Sequence, residues 1–189
     1  MGNSRTHLAN AAPHGSKSLR YRLSEMTETS IDFSEINVLL VDDCRHMRMI
    51  TKSVLLALGC KKVKEAGDAP EAFKLLQNFP ADFLIVDWYM NPLDGLDFVR
   101  LVRNGEDSAA PYVPIIMLSG YTEFDRVTEA RDAGVSEFLA KPISVSALGS
   151  RIVSLVNNDR PFIRTKNYFG PCRRRRDEGP PRGMDERRK

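Results

Sequence analysis

Short apolar runs alternate along this chain with longer stretches whose apolar positions recur every three or four residues. Asn37-Val-Leu-Leu-Val41, Phe83-Leu-Ile-Val86 and Val113–Leu118 read as buried strands, and Lys62–Ala66 and Glu137–Ala140 as weaker ones. Between them the spacing predicts helices. The first places Met47, Ile50, Val54, Leu55 and Leu58 near one face, as core packing, and closes at Gly59. The second starts at Pro70, carries Ala72, Phe73, Leu75, Leu76 and Phe79, and stops before Pro80. The third holds Leu96, Val99 and Val102, the fourth runs from Glu123 to Ala133 before Gly134, and the fifth from Val145 to Val156. Five strands alternating with five helices predict an α/β fold, a five-stranded parallel sheet doubly wound as (βα)5.

This pattern assigns residues 34–157 to one domain. Residues 1–33 are polar, without sustained period or the apolar core of a signal peptide, and are expected to be a disordered tail. Ordered pattern begins just after Met26, a candidate alternative start to Met1. Residues 158–189 are rich in Pro, Gly and charge and include Arg173-Arg174-Arg175-Arg176; they are expected to be a disordered basic tail. Phe162, Tyr168 and Phe169 offer groups that could dock on the body or on a partner.

Charge sharpens the division. Residues 31–156 carry 13 Lys/Arg against 18 Asp/Glu, a net −5, whereas 157–189 carry 11 against 5, a net +6. The arginine cluster is expected to be solvated charge, and nucleic acid is not the expected partner, because no recognised nucleic-acid module accompanies it. Three cysteines, Cys44, Cys60 and Cys172, lack metal-ligand spacing and fit a reducing, cytoplasmic setting. No run approaches the roughly 18–20 apolar residues of a membrane span.

In parallel sheets of this kind ligands bind beyond the carboxyl ends of the strands. Those ends are Asp42 and Asp43, Asp87, Ser119 and Lys141. Three carboxylates at one edge repel, and a divalent cation relieves the conflict. Oxygen ligands without convergent His or Cys favour Mg²⁺, or Mn²⁺, over zinc. Lys141 adds a point charge for an anion and Ser119 a donor, so the site suits a phosphoryl group with a carboxylate as nucleophile.

The text at these ends resembles the receiver domain of two-component response regulators in its CheY-like, single-domain, flavodoxin-like form. It comprises Val41-Asp42-Asp43, Val86-Asp87-Trp88-Tyr89-Met90-Asn91-Pro92-Leu93-Asp94-Gly95, Leu118-Ser119-Gly120 and Ala140-Lys141-Pro142. The resemblance implies that Asp87 is the phosphoacceptor for a sensor histidine kinase or a histidine phosphotransfer protein. It implies that Asp43, Asp87 and the backbone carbonyl of Tyr89 bind Mg²⁺ directly, with Asp42 acting through metal-bound water. Ser119, Gly120, Lys141 and Trp88 would bind the phosphoryl group. Ser119 and Phe138 would form the switch, altering the face of the fourth helix, fifth strand and fifth helix, which is offered to a target protein or to a weak phosphorylation-dependent dimer.

Such a chain is a signalling phosphoacceptor, not an enzyme in the ordinary sense. Alternatives within signalling are a phosphate shuttle or sink without its own target; from another class, a receiver that gates nucleic-acid binding by the arginine tail. The text departs from the commonest family pattern where Pro92 follows Asn91, one place late, and where Phe138 lacks the hydroxyl of the frequent Tyr. Tyr89 is bulky on the approach of water and is expected to slow self-dephosphorylation.

Overall fold

The computed structural model describes residues 31–120, 124–157, 160–166 and 168–173. A 3-10 turn over Phe33–Glu35, capped by the Asp32 side chain, leads into the first strand. Five strands follow, β1 (Asn37–Val41), β2 (Lys62–Ala66), β3 (Phe83–Asp87), β4 (Ile115–Ser119) and β5 (Glu137–Ala140). All pair in parallel in the order β2-β1-β3-β4-β5. They alternate with α1 (Arg45–Ala57), α2 (Ala69–Asn78), α3 (Gly95–Asn104), α4 (Phe124–Ala133) and α5 (Val145–Asn157). The expected doubly wound (βα)5 sheet is the fold of this protein.

The central strands are buried on both faces, so successive residues feed two separate cores. Leu39, Val41, Leu84, Val86, Ile115 and Met117 face one core, with Ala72, Leu76, Val99, Val102 and Ala130 from α2, α3 and α4. Val38, Leu40, Phe83, Ile85, Ile116 and Leu118 face the other, with Leu55 of α1 and Leu148 and Ile152 of α5. A fully buried aliphatic side chain contributes roughly 1.5–3 kcal/mol. The strands are therefore a stiff base for whatever their ends carry.

Two expectations are corrected. In α1 the buried residues are Thr51 and Leu55, while Ile50 is 38% exposed and Met49 and Leu56 lie further out. The helix has more apolar residues than one face accommodates, and the face chosen is the one meeting β1 and α5. The segment expected to be a disordered tail, 158–189, contains an antiparallel hairpin, β6 (Phe162–Thr165) and β7 (Tyr168–Pro171). It is held by a cluster of Phe162, Phe169 and Tyr112, with ring centroids 5.1–5.8 Å apart. Gly134 and Gly170 let the hairpin backbone approach the turn after α4. A Cβ on Gly170 would come within 2.7 Å of the Gly134 Cα, and Gly134 itself has φ +99°. Residues 1–30 and 174–189, with their expected tails, lie outside the described residues.

Candidate functional site

The strand order reverses beside β1, whose neighbours β2 and β3 lie on opposite sides. That geometry opens a crevice at the carboxyl edge between β1 and β3. Asp42 and Asp43 follow β1, and Asp87 closes β3. One carboxylate oxygen from each of the three lies within 4.8 Å of the others. Asp42 is fully buried and Asp87 nearly so, whereas Asp43 is exposed. The main-chain N–H of Cys44, which caps α1, donates to Asp42 Oδ1 at 2.8 Å, and that of Asn91 donates to Asp43 Oδ2 at 2.9 Å. The β1–α1 and β3–α3 loops are thus tied to the carboxylates they present.

Lys141 reaches the same point from β5. Its N–H donates to the Ser119 carbonyl at 2.7 Å, continuing the sheet ladder one residue beyond β5. Its Nζ lies 2.9 Å from Asp87 Oδ1 and 3.4 Å from Asp42 Oδ2. Burial pushes the Asp87 carboxyl above its ordinary range; Lys141 opposes the rise and Asp42 adds to it. Burial alone would lower the Lys141 ammonium, but contact with Asp87 and then Asp42 carries it above its usual value. Ser119 is buried at the end of β4, and beside it Gly120 is exposed, with open space where a Cβ would stand.

The structure therefore brings Asp42, Asp43, Asp87, Ser119, Gly120 and Lys141 to one edge, as their positions in the sequence suggested. Trp88 is the exception. Its indole is 2% exposed, packed edge-on against Phe138 at 6.3 Å, with the Arg126 guanidinium 5.5 Å from its ring centre. The Trp88 main-chain N–H donates to the Leu118 carbonyl at 2.9 Å, in the sheet. Side chains alternate along β3, so the residue after Asp87 points to the core beneath the crevice, and Trp88 is a packing residue. Tyr89 is 47% exposed at the mouth. Tyr121 lies outside the described residues.

Sequence reasoning missed three supporting groups. Arg48 of α1 donates from Nη1 to the Asp42 carbonyl at 2.5 Å and pairs with Glu65, fixing the strand end from outside. Arg126 covers Trp88, a contact between α4 and β3 that local pattern does not announce. Gly95 opens α3 so close to the acceptor that a Cβ there would lie 1.9 Å from the Asp87 carbonyl oxygen. The last was readable, since Asp94-Gly95 marks a capped helix start that must return against β3; Asp94 indeed caps α3.

The donor set is three carboxylates without His or Cys, one of them open to solvent. That matches a small hard cation that keeps some of its own water, as Mg²⁺ does. A buried carboxylate facing an ammonium at the foot of an open crevice suits nucleophilic uptake of an anionic group.

Fold and site together define a class. The chain belongs to the response regulator receiver domain family, whose model matches residues 38–153. It is 34% identical over 117 residues to the chemotaxis protein CheY of Pseudomonas aeruginosa, covering 62% of this chain and 93% of that one. Among solved structures it is similar to the chemotaxis protein CheY4 of Vibrio cholerae, with 30% identity and a TM-score of 0.57 over 62% of this chain and 96% of that one. It is also similar to a receiver domain of a Francisella response regulator, with 26% identity and a TM-score of 0.58 over 65% and 98%. In the receiver domain of a Pseudomonas aeruginosa sensor histidine kinase, a fold likeness at 24% identity and TM-score 0.57, a magnesium ion is coordinated in the active-site cleft. Among the described residues no helix is long and apolar enough to cross a membrane.

Proposed function

We propose that this protein is a receiver that accepts a phosphoryl group on Asp87 from the phosphohistidine of a kinase or phosphotransfer protein. The observation that carries the reading is the convergence of three carboxylates within 4.8 Å, with the Lys141 ammonium 2.9 Å from one of them. In the reaction an Asp87 oxygen forms a bond to phosphorus as the phosphorus–imidazole nitrogen bond breaks, and the imidazole leaves as the neutral base after taking a proton. Asp42, Asp43, Asp87 and the Tyr89 carbonyl would hold Mg²⁺ (Mn²⁺ offers the same chemistry), which when bound neutralises charge on the phosphoryl oxygens.

The remaining roles fall to the chain's own side chains. Lys141 leaves Asp87 to pair with a phosphoryl oxygen, while the Ser119 hydroxyl and Gly120 N–H donate to others. As Ser119 moves inward, Phe138 rotates toward the space it leaves, and the face of α4, β5 and α5 changes shape. A charged group in the crevice thereby biases a two-state packing of the neighbouring face. Phe138 against Trp88, itself the residue after the acceptor, supplies a direct mechanical link. The protein carries the group on itself and turns over nothing beyond its own phosphorylation and dephosphorylation.

Incubation with Mg²⁺ and acetyl phosphate tests this. Intact-protein mass should rise by one phosphoryl group in the wild type and stay unchanged for Asp87→Asn or when the metal is chelated. Uptake by Asp87→Asn equal to wild type would overturn the assignment.

A further inference from the structure

The helix α4 has a small stake in the core. Among its described side chains Ala130 and Ala133 alone are buried, whereas α3 buries Leu96, Phe98, Val99 and Val102. Little apolar area is lost when two alanine methyls slide along the sheet, so α4 shifts at low cost and α3 does not. Contacts at its two ends hold α4 instead. In its first turn, Arg126 lies over the Trp88 ring at 5.5 Å, and Trp88 meets Phe138 edge-on at 6.3 Å. The residue after the acceptor therefore stands between α4 and the aromatic side chain of β5.

The other end of α4 carries the hairpin. Gly134 and Val135 donate to the Arg131 and Ala130 carbonyls, each at 3.1 Å, so the turn after α4 moves with the helix. β7 is seated on that turn. A Cβ on Gly134 would lie 2.8 Å from the Phe169 carbonyl oxygen, and one on Gly170 2.7 Å from the Gly134 Cα. Arg103 of α3, 1% exposed, donates from Nε to the Gly134 carbonyl at 3.0 Å and packs its guanidinium on Phe162. At the rim, Asp132 of α4 pairs with Arg173 at 3.3 Å. The root of the hairpin is fixed separately, where Arg160 donates to the Ser136 carbonyl and meets Glu137 at 3.5 Å beside β5. The seating of β7 thus depends on where α4 ends, and the root does not.

We infer that the hairpin is this chain's own output element: a phosphoryl group on Asp87 displaces α4 and unseats β7. The first step rests on the phosphoryl reading proposed above, in which Phe138 rotates toward the space Ser119 leaves and its edge contact with Trp88 is lost. The Trp88 ring, and Arg126 upon it, then lose their fixed position, and the loosely packed helix follows. At Gly134 the fit has no slack, because close-packed backbone is either seated or apart. A shift of that turn therefore loosens the hairpin and cannot tighten it. Unseating bares Phe162 and Phe169 on the ribbon and Tyr112 on the body, three rings whose centroids lie 5.1–5.8 Å apart in the seated form. Phosphorylation would thus offer an aromatic surface that the unphosphorylated chain keeps covered.

Amide hydrogen exchange of the full chain, read by peptide mass, tests this, with intact mass recorded on the same samples after acetyl phosphate and Mg²⁺. Peptides over β6 and β7 should exchange about tenfold faster in the phosphorylated chain, while those over β1 and β3 stay as they were. Arg126→Ala should speed exchange in the hairpin without any phosphoryl group. Arg126→Lys, which keeps a cation over Trp88, should restore most of the protection. The coupling is reciprocal, so Phe169→Ala should keep phosphoryl uptake and hold beryllofluoride, a phosphoryl mimic, about tenfold more tightly than wild type. Phosphoryl uptake with hairpin exchange unchanged or slowed would overturn the inference and leave the acceptor assignment standing. So would unaltered beryllofluoride affinity in Phe169→Ala, or hairpin exchange in Arg126→Ala equal to wild type. A wild type that takes up no phosphoryl group would overturn both.

Discussion

At the residue scale, Asp87 works under a tension that its own stability records. Burial raises its pKa above the ordinary 3.8, and Lys141 offsets only part of that rise. A carboxyl whose folded pKa lies above its unfolded one favours the fold below the unfolded value, and that advantage is lost as pH rises through the folded value. At neutral pH the ionised Asp87 therefore weakens the fold, held in place for its chemistry. Asp87→Asn should melt a few degrees above wild type at pH 7, with the gap closing as pH falls through the raised value and gone once it reaches the ordinary 3.8. A variant melting below wild type at pH 7 would mean that the Lys141 pairing outweighs burial. Lys141, whose folded pKa is raised, contributes stability below its ordinary 10.5 and loses it only as pH climbs above that. Added Mg²⁺ relieves the same burial and repulsion without protonation, stabilising the wild type by pairing with the charged carboxylates.

At the element scale, the acceptor depends on how closely α3 starts beneath β3. Gly95 donates to the Trp88 carbonyl at 2.8 Å, and its missing side chain leaves room for the Asp87 carbonyl. Gly95→Ala should cost about 3 kcal/mol or more, read as a lowered urea midpoint with unchanged slope. The sheet and its catalytic edge were legible because each strand is a short apolar run ending in a polar residue, and a parallel sheet places those ends together. Trp88 was misplaced because its role depends on the pleat, which turns alternate side chains to opposite faces. The buried side of α1 was misread at Ile50 because the helix is apolar on more than one face, and only tertiary contact selects between them. The hairpin was illegible for a related reason. Its four-residue strands carry Arg, Thr and Tyr, and their burial depends on Tyr112 and Arg103, far back in the chain.

At the scale of the whole molecule, the receiver and the hairpin form opposite poles of one sheet. The acidic crevice stands at the carboxyl ends of the strands and the cationic ribbon near their amino ends, with α4 running between the two. Phe169 joins the ribbon to the body. Phe169→Ala should cost about 3–5 kcal/mol in the hairpin's attachment, up to the point of release. Limited proteolysis would then cut within 160–173 while the sheet stays intact; unchanged protease resistance would show that the aromatic cluster does not hold the ribbon. Phosphoryl uptake should survive that substitution, because nothing in the crevice rests on the hairpin.

Asp87, and neither of its two acidic neighbours, is the proposed carrier of the phosphoryl group. Borohydride trapping after exposure to acetyl phosphate and Mg²⁺ reduces an acyl phosphate to the corresponding alcohol, and peptide mapping locates it. Homoserine at position 87, absent without metal, is the predicted result. Reduction at Asp42 or Asp43, or at no carboxylate at all, would contradict the account.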